Sequence, residues 1–341
     1  MSDEPLRAQG TVVRTGPTIY FVQTPYGEVV CRLRGRLKEE LYEEADDGTK
    51  VQRFTNPVAV GDLVEISLYG EEGVIEEVLP RRSKFSRLTA KPHPDAPDVE
   101  QVIAANVDQV VILASVKEPP LNLRFLDRLL VLATYSELEA ALVLNKADLL
   151  NARERTRLKE AMNRIYGPLR IPWLLISATT GENLDAVREL LAGKTTVLVG
   201  RSGTGKSSLL NALQPGLDLR VGEVSEHSGK GRHTTTTAAL YTLDFGAKVV
   251  DTPGIREVGL WGVPTEELDY YFVEMRPYLG QCRFSDCWHF EEPGCAVREA
   301  VERGEISPER YESYRRLVQG SPVEEHERRR PRRVHRGPAV D

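Results

Sequence analysis

Gly200-Arg201-Ser202-Gly203-Thr204-Gly205-Lys206-Ser207 satisfies every fixed position of the phosphate-loop pattern G-x-x-x-x-G-K-[ST]. The run Thr195-Thr196-Val197-Leu198-Val199 precedes it and reads as a buried strand. Ser207-Ser208-Leu209-Leu210-Asn211-Ala212-Leu213 follows and reads as a helix. Strand, glycine-rich loop and helix in that order are the context in which the motif holds a nucleotide. The glycines let backbone N–H groups turn inward around phosphates, and the helix start adds partial positive charge. Lys206 is expected to reach the β- and γ-phosphates and serve catalysis, Ser207 to ligate magnesium, and Ser208 to extend the phosphate cradle.

Base choice is written upstream. Asn145-Lys146-Ala147-Asp148 closes the apolar run Ala141-Leu142-Val143-Leu144, at the carboxyl end of a strand, where open α/β sheets place ligands. The Asp148 carboxylate can accept from the ring N–H and the exocyclic amine of guanine, donors that adenine lacks at those positions. Asn145 is expected at the other edge of the base, with the Lys146 stem against the ring. Ser177-Ala178-Thr179, after Trp173-Leu174-Leu175-Ile176, would lend a backbone N–H to the guanine oxygen. Downstream, Asp251-Thr252-Pro253-Gly254 follows the strand Ala247-Lys248-Val249-Val250. Asp251 is expected to hold magnesium through water, and the Gly254 N–H to sense the γ-phosphate. An ordinary GTPase starts with its phosphate loop and ends with the base-reading motifs. Here the halves are exchanged, which predicts an intact site in a circularly permuted α/β domain. A P-loop ATPase or kinase is a rival class, and Asn145 with Asp148 argues against it.

Many GTPases orient the attacking water with a glutamine just after Asp-x-x-Gly. Ile255 stands there and cannot hydrogen-bond water. The polar substitute is sought in Gly229-Lys230-Gly231-Arg232-His233-Thr234-Thr235-Thr236-Thr237, between the phosphate-loop helix and the next strand, where a first switch segment belongs. Thr235 is expected to complete the magnesium shell. His233 is the candidate water-orienting group or base; the other readings are a surface histidine or one that contacts RNA. If no group replaces the glutamine, the chain is a GTP-binding RNA scaffold with negligible hydrolysis.

Three of the four cysteines cluster with a histidine as Cys282-x4-Cys287-x-His289-x5-Cys295. Three thiolates and one imidazole make a closed tetrahedral set, the structural type of zinc site. Reduced core cysteines beside an incidental histidine are the alternative. Cys31 stands alone in a strand-like segment and reads as an ordinary buried residue.

At 341 residues the chain has room for two or three domains, and its formal charge of −6 confines RNA binding to local patches. Residues 1–85 alternate apolar and polar between glycine turns, which predicts a five-stranded OB-like β-barrel that binds RNA. Arg32, Arg34, Arg36 and Lys38 would contact phosphates there, or form a solvated strand face. Residues 41–55 read as a mobile insertion, and 86–100, rich in proline up to Pro97, as a linker. The GTPase domain is expected over 101–268, a zinc-binding helical module over 269–320, and a basic disordered tail over 321–341. In that tail Arg328-Arg329-Arg330-Pro331-Arg332-Arg333 either binds RNA or acts as a solubilising end. No apolar stretch is long enough for a membrane span, and the first residues lack signal-peptide character. Both point to a cytoplasmic protein, and a monomer is expected.

The permuted order resembles the bacterial small-ribosomal-subunit-dependent GTPase A family. The residues carrying the resemblance are Gly200 to Ser208, the run from Gly229 to Thr235, Asp251-Thr252-Pro253-Gly254-Ile255-Arg256-Glu257, the Cys/His cluster, and Asn106-Val107-Asp108-Gln109-Val110. The resemblance covers nearly the whole chain. It implies GTP hydrolysis stimulated by the small ribosomal subunit and its rRNA, and release from that subunit late in maturation. It also implies a catalytic role for His233 and one structural zinc on Cys282, Cys287, His289 and Cys295, beside magnesium with GTP. Gly203 stands where potassium-dependent GTPases carry asparagine, so no potassium requirement of that type is expected. The tail after Gly320 has no counterpart in the family pattern.

Overall fold

The computed structural model describes residues 6–39, 42–44, 50–52, 56–88, 99–217, 219, 238–252 and 263–320. The N-terminal strands are β1 (Leu6–Thr15), β2 (Tyr20–Thr24) and β3 (Gly27–Leu33), followed by the short helix α1 (Gly35–Glu39). A small ribbon of β4 (Tyr42–Glu44) and β5 (Lys50–Gln52) comes next, then the hairpin of β6 (Leu63–Tyr69) and β7 (Glu72–Val78). β1 pairs with both β2 and β6, β3 runs parallel to β7, and β6 is antiparallel to β7. Pairing therefore closes in a ring, β1-β2-β3-β7-β6, and the expected five-stranded barrel is present. Alternation explains its core: Val12, Val22, Cys31, Val64, Ile66 and Ile75 point inward and are fully buried.

β8 (Lys84–Leu88) and β9 (Glu100–Ala105) form an antiparallel pair. The segment from Ser86, read from its prolines as a bare linker, thus begins inside a strand. Lys84 bonding Glu100 and Arg87 bonding Gln101 hold the two sides together. Prolines, which lack the N–H for a ladder, lie between these strands and not in them.

The nucleotide domain follows as β10 (Gln109–Ser115), α2 (Leu123–Tyr135), β11 (Glu139–Asn145), α3 (Ala152–Tyr166), β12 (Trp173–Leu175) and α4 (Leu184–Leu191). It continues with β13 (Thr195–Val199), α5 (Lys206–Leu213), β14 (Ala239–Thr242) and β15 (Lys248–Asp251). Sheet order is β12-β11-β10-β13-β15-β14, all parallel except β14. Every residue of β10 is buried, because helices cover both faces. Val110 and Ile112 pack toward α2 and α3, whereas Val111 and Leu113 pack toward α4 and α5. The phosphate-loop strand β13 lies in the middle of the nucleotide domain's strands although three of them, β10, β11 and β12, precede it in the chain. That is the permutation, realised with the sheet intact.

Asn106 to Gln109 are the joint between barrel and sheet. Asn106 adopts a left-handed backbone (φ 56) and bonds the Gly61 carbonyl through its side-chain amide at 3.0 Å. Arg82 pairs with Asp108 at 2.7 Å, and the other Asp108 oxygen accepts from the Thr195 N–H at 2.7 Å. Gln109 donates to Thr196 Oγ1 at 3.0 Å. The run that opens β10 thereby ties down the start of β13. A second joint is the pairing of Arg14 in β1 with Ala239 in β14.

The C-terminal module contains α6 (Leu268–Tyr271), α7 (Ala296–Glu302) and α8 (Pro308–Gly320). Arg310 of α8 is buried and reaches Asp127 of α2 at 2.7 Å and Glu274 at 2.6 Å. Burial alone would weaken its charge, but the two carboxylates outweigh it and hold its pKa above the usual value. Tyr166 of α3 donates to the same Asp127 oxygen at 2.8 Å. One ionic cluster thus pins the module to the nucleotide domain.

Candidate functional site

The expected nucleotide residues within the described chain meet along the carboxyl edge of the parallel strands, at the ends of β11, β12, β13 and β15. The phosphate loop needs its glycines for space. A Cβ on Gly200 would lie 2.3 Å from the Leu113 carbonyl, and one on Gly205 (φ +92) would lie 2.5 Å from the Asn145 amide nitrogen. Thr204 Oγ1 donates to the Arg201 carbonyl at 2.8 Å, bracing the loop, while Ser202 is exposed. Lys206 Nζ donates to the carbonyls of Gly200 at 2.7 Å and Arg201 at 3.2 Å. Ser207 and Ser208 occupy the first turn of α5.

Asn145 is the keystone. Its Nδ2 donates to the buried Thr204 carbonyl at 2.9 Å, and its Oδ1 accepts from the N–H groups of Ala178 at 3.0 Å and Lys146 at 2.8 Å. The amide expected at the base edge therefore also joins the phosphate loop to the Ser177-Ala178 loop. Of the run Ser177-Ala178-Thr179, expected to lend a backbone N–H to the guanine oxygen, Ala178 donates its N–H to Asn145 here. Ser177 Oγ donates to Asp148 Oδ1 at 2.5 Å and accepts from Thr180 N–H at 3.1 Å, so the carboxylate expected to read the base is oriented. Lys146 turns through a left-handed backbone (φ 70) and donates from Nζ to the Glu118 carbonyl. Arg155 braces this wall: it bonds the Ala147 carbonyl at 2.8 Å and pairs with both oxygens of Glu182. Nothing in the spacing of the motifs pointed to Arg155.

Asp251 ends β15 beside this loop. Burial raises its pKa, opposed by the positive charge of Lys206 and by the Thr252 N–H. Its Oδ1 is buried without a hydrogen-bond partner. A buried, desolvated carboxylate oxygen with no partner is what a hydrated cation at this position would satisfy. His233, Thr235 and Gly254, with Ile255, lie outside the described residues.

The Cys/His expectation is met in space. The ligand atoms of Cys282, Cys287, His289 and Cys295 all lie within 4.8 Å of one another. His289 Nδ1 faces the sulfurs, 3.5 Å from Cys282 Sγ and 3.4 Å from Cys295 Sγ. Its other nitrogen, Nε2, meets buried Asp269 at 3.2 Å. A carboxylate behind a ligating imidazole fixes its tautomer and orientation. Asp269 escaped sequence reasoning because it lies 20 residues from the histidine it holds. Burial pushes the Cys287 thiol up. Three sulfurs and a nitrogen converging at these distances fit a tetrahedral metal.

Cys31 is buried in the barrel core, as read. Of the barrel arginines, Arg34 pairs with Glu76 at 3.2 Å, Arg36 bonds the Glu76 carbonyl at 2.8 Å, and Arg32 is exposed; Lys38 lies on α1. Among the described residues no helix is long and apolar enough to cross a membrane.

Comparison with known proteins agrees with this geometry. A model of the family described as RsgA GTPase matches residues 78–261. The small ribosomal subunit biogenesis GTPase RsgA of Haemophilus influenzae (strain PittGG) is 43% identical over 274 residues, covering 79% of this chain and 77% of that protein. The protein of the same name from Actinobacillus pleuropneumoniae serotype 5b (strain L20) is 41% identical over 317 residues, covering 91% and 85%. Among solved structures, YjeQ from Thermotoga maritima superimposes with a TM-score of 0.68 at 38% identity, over 92% of this chain and 98% of that one. YloQ, described as a circularly permuted GTPase, gives 0.63 at 26% identity over 98% and 99%.

Proposed function

Since the chain belongs to the RsgA GTPase family, we propose that it binds GTP and hydrolyses it to GDP and phosphate on the small ribosomal subunit, late in that subunit's maturation. The observation that carries this reading is the double engagement of Asn145. One side chain grips the phosphate loop through Thr204 and the base-side loop through Ala178. A nucleotide read at its base by Asp148 is thereby set in register with Lys206 at its phosphates.

In this reading Asp148 selects guanine, held in place by Ser177. Lys206 leaves the carbonyls of Gly200 and Arg201 for the β- and γ-phosphates. Ser207, Thr235 and Asp251 would hold magnesium, which would supply positive charge at the phosphate oxygens; the unpartnered Asp251 Oδ1 supports this place for Asp251. His233 orients the attacking water, in place of the glutamine that Ile255 displaces. Gly254 senses the γ-phosphate, so the segment after Asp251 changes with nucleotide state.

The metal on Cys282, Cys287, His289 and Cys295 is zinc in this proposal, and its role is structural because four protein ligands leave no open position. The barrel, the zinc module and the basic tail contact rRNA, and the protein acts as a monomer in the cytoplasm. The test is GTP turnover measured with purified small subunits, with large subunits and with neither. Stimulation by small subunits alone is expected. Equal turnover in all three would remove the subunit from the reading, and no turnover in any would leave a GTP-binding scaffold.

A further inference from the structure

We infer a second phosphate site, behind the phosphate loop, that takes a backbone phosphate of ribosomal RNA. The site is a cavity of about 360 Å³ between the start of α2, the phosphate loop and α8, and among the residues lining it are Arg124, Arg201 and Arg316. It rests on the small-subunit reading above and adds the place where RNA touches the nucleotide loop itself.

Charge is the first argument. Two carboxylates, Glu309 and Glu312, also line the cavity. Both are engaged by arginines: Glu309 takes two bonds from Arg164, at 2.9 and 2.5 Å, and Glu312 accepts from Arg316 with Arg315 at 3.9 Å. The side chains of Arg124 and Arg201 make no hydrogen bond or ion pair among the described residues. One turn along α2, Arg128 has its pKa lowered by burial and then by the charge of Arg124. An anion in the cavity would face Arg124, Arg201 and Arg316, which line it.

Chemistry is the second. Guanidinium forks match phosphate oxygens in pairs and do so better than lysine. Arg124 and Arg316 are exposed, so a polymer can reach them without entering the protein. RNA carries such a group at every nucleotide, and the partner in the reading above is largely RNA.

Position is the third. Arg201 is a residue of the phosphate loop, and its carbonyl accepts from Thr204 Oγ1 and from Lys206 Nζ. A phosphate drawn to the Arg201 side chain therefore acts on the residue whose carbonyl holds the loop lysine. RNA docked in the cavity would meet the nucleotide site through this one residue.

Arg124→Gln/Arg316→Gln tests the site without touching the phosphate loop, and Arg315 stays beside Glu312. Binding to purified small subunits, with a non-hydrolysable GTP analogue, is measured across a series of salt concentrations. Each lost phosphate contact should flatten the slope of log affinity against log salt by roughly 0.7–0.9. Turnover without subunits should stay at the parent level. An unchanged slope overturns the proposal, and so does weaker binding at unchanged slope, which would mark a protein contact. Inorganic phosphate distinguishes the remaining source. If it raises the melting temperature of the parent but not of the variant while the slopes coincide, the cavity takes a free anion and not RNA. A parent chain that fails to bind small subunits at low salt removes the functional reading and this site together; parent binding with matching slopes removes the site alone.

Discussion

Asn145 and Thr204, 59 residues apart in the chain, are joined by a buried 2.9 Å hydrogen bond from side-chain amide to backbone carbonyl. In a permuted domain this bond has a particular value. The Asn145-Lys146-Ala147-Asp148 loop belongs to the first half of the domain and the Gly200–Ser207 loop to the second. Asn145, with its acceptor oxygen on Ala178 N–H, spans both.

Asn145→Ala should therefore weaken GTP binding more than the loss of one base contact. The Thr204 carbonyl would be left buried without a partner, which costs about 1–3 kcal/mol, or roughly 5- to 150-fold if it falls on the nucleotide-bound form. Isothermal titration reads the change. An Asn145→Ala protein that binds GTP like its parent would show that the amide is not the link.

The metal should be countable. Elemental analysis of gently purified protein is expected to find one zinc per chain, and Cys287→Ser should lose it while GTP binding survives. Asp269→Ala is the sharper variant, since it removes only the carboxylate behind His289. Loss of such a partner weakens metal binding roughly 10- to 100-fold. Zinc content near zero in the parent would sink the assignment.

Catalysis is tested at His233. His233→Ala should lower subunit-stimulated turnover by roughly 10²–10⁴-fold, the range for a positioned water-orienting or basic group. Affinity for GTP and for the subunit should stay within about a few-fold, because the imidazole is not needed to hold the ground state. Full stimulated turnover in this variant would place the water-orienting group on the ribosome.

Arg310→Met should destabilise the fold itself. It leaves Asp127 and Glu274 facing a buried space without their cation, which costs roughly 3–5 kcal/mol. The triple change Arg310→Met, Asp127→Asn and Glu274→Gln should recover most of it. Urea unfolding separates the two, and a single variant as stable as the parent would contradict the role given to the cluster.

What the sequence settled by itself was whatever depends on short-range pattern. The phosphate loop had to follow a strand and open a helix, because glycine spacing and apolar runs are local. The barrel showed through as alternation in Val12, Val22, Val64 and Ile66, since strand period alone decides which side chains face inward. The four residues of the Cys/His cluster fell within one short segment, so their convergence needed little of the fold. The remaining features required the fold, because they join groups that no period relates. Asp269 behind His289, Arg155 across from Glu182, and Arg310 between Asp127 and Glu274 are partnerships made by packing. The strand at Ser86 was hidden for the same reason: its partner, β9, lies beyond a proline-rich segment. The permutation was plain in the order of the motifs. That the exchanged halves still form one site was decided by the sheet, which places β13 between β10 and β15 whatever the order of synthesis.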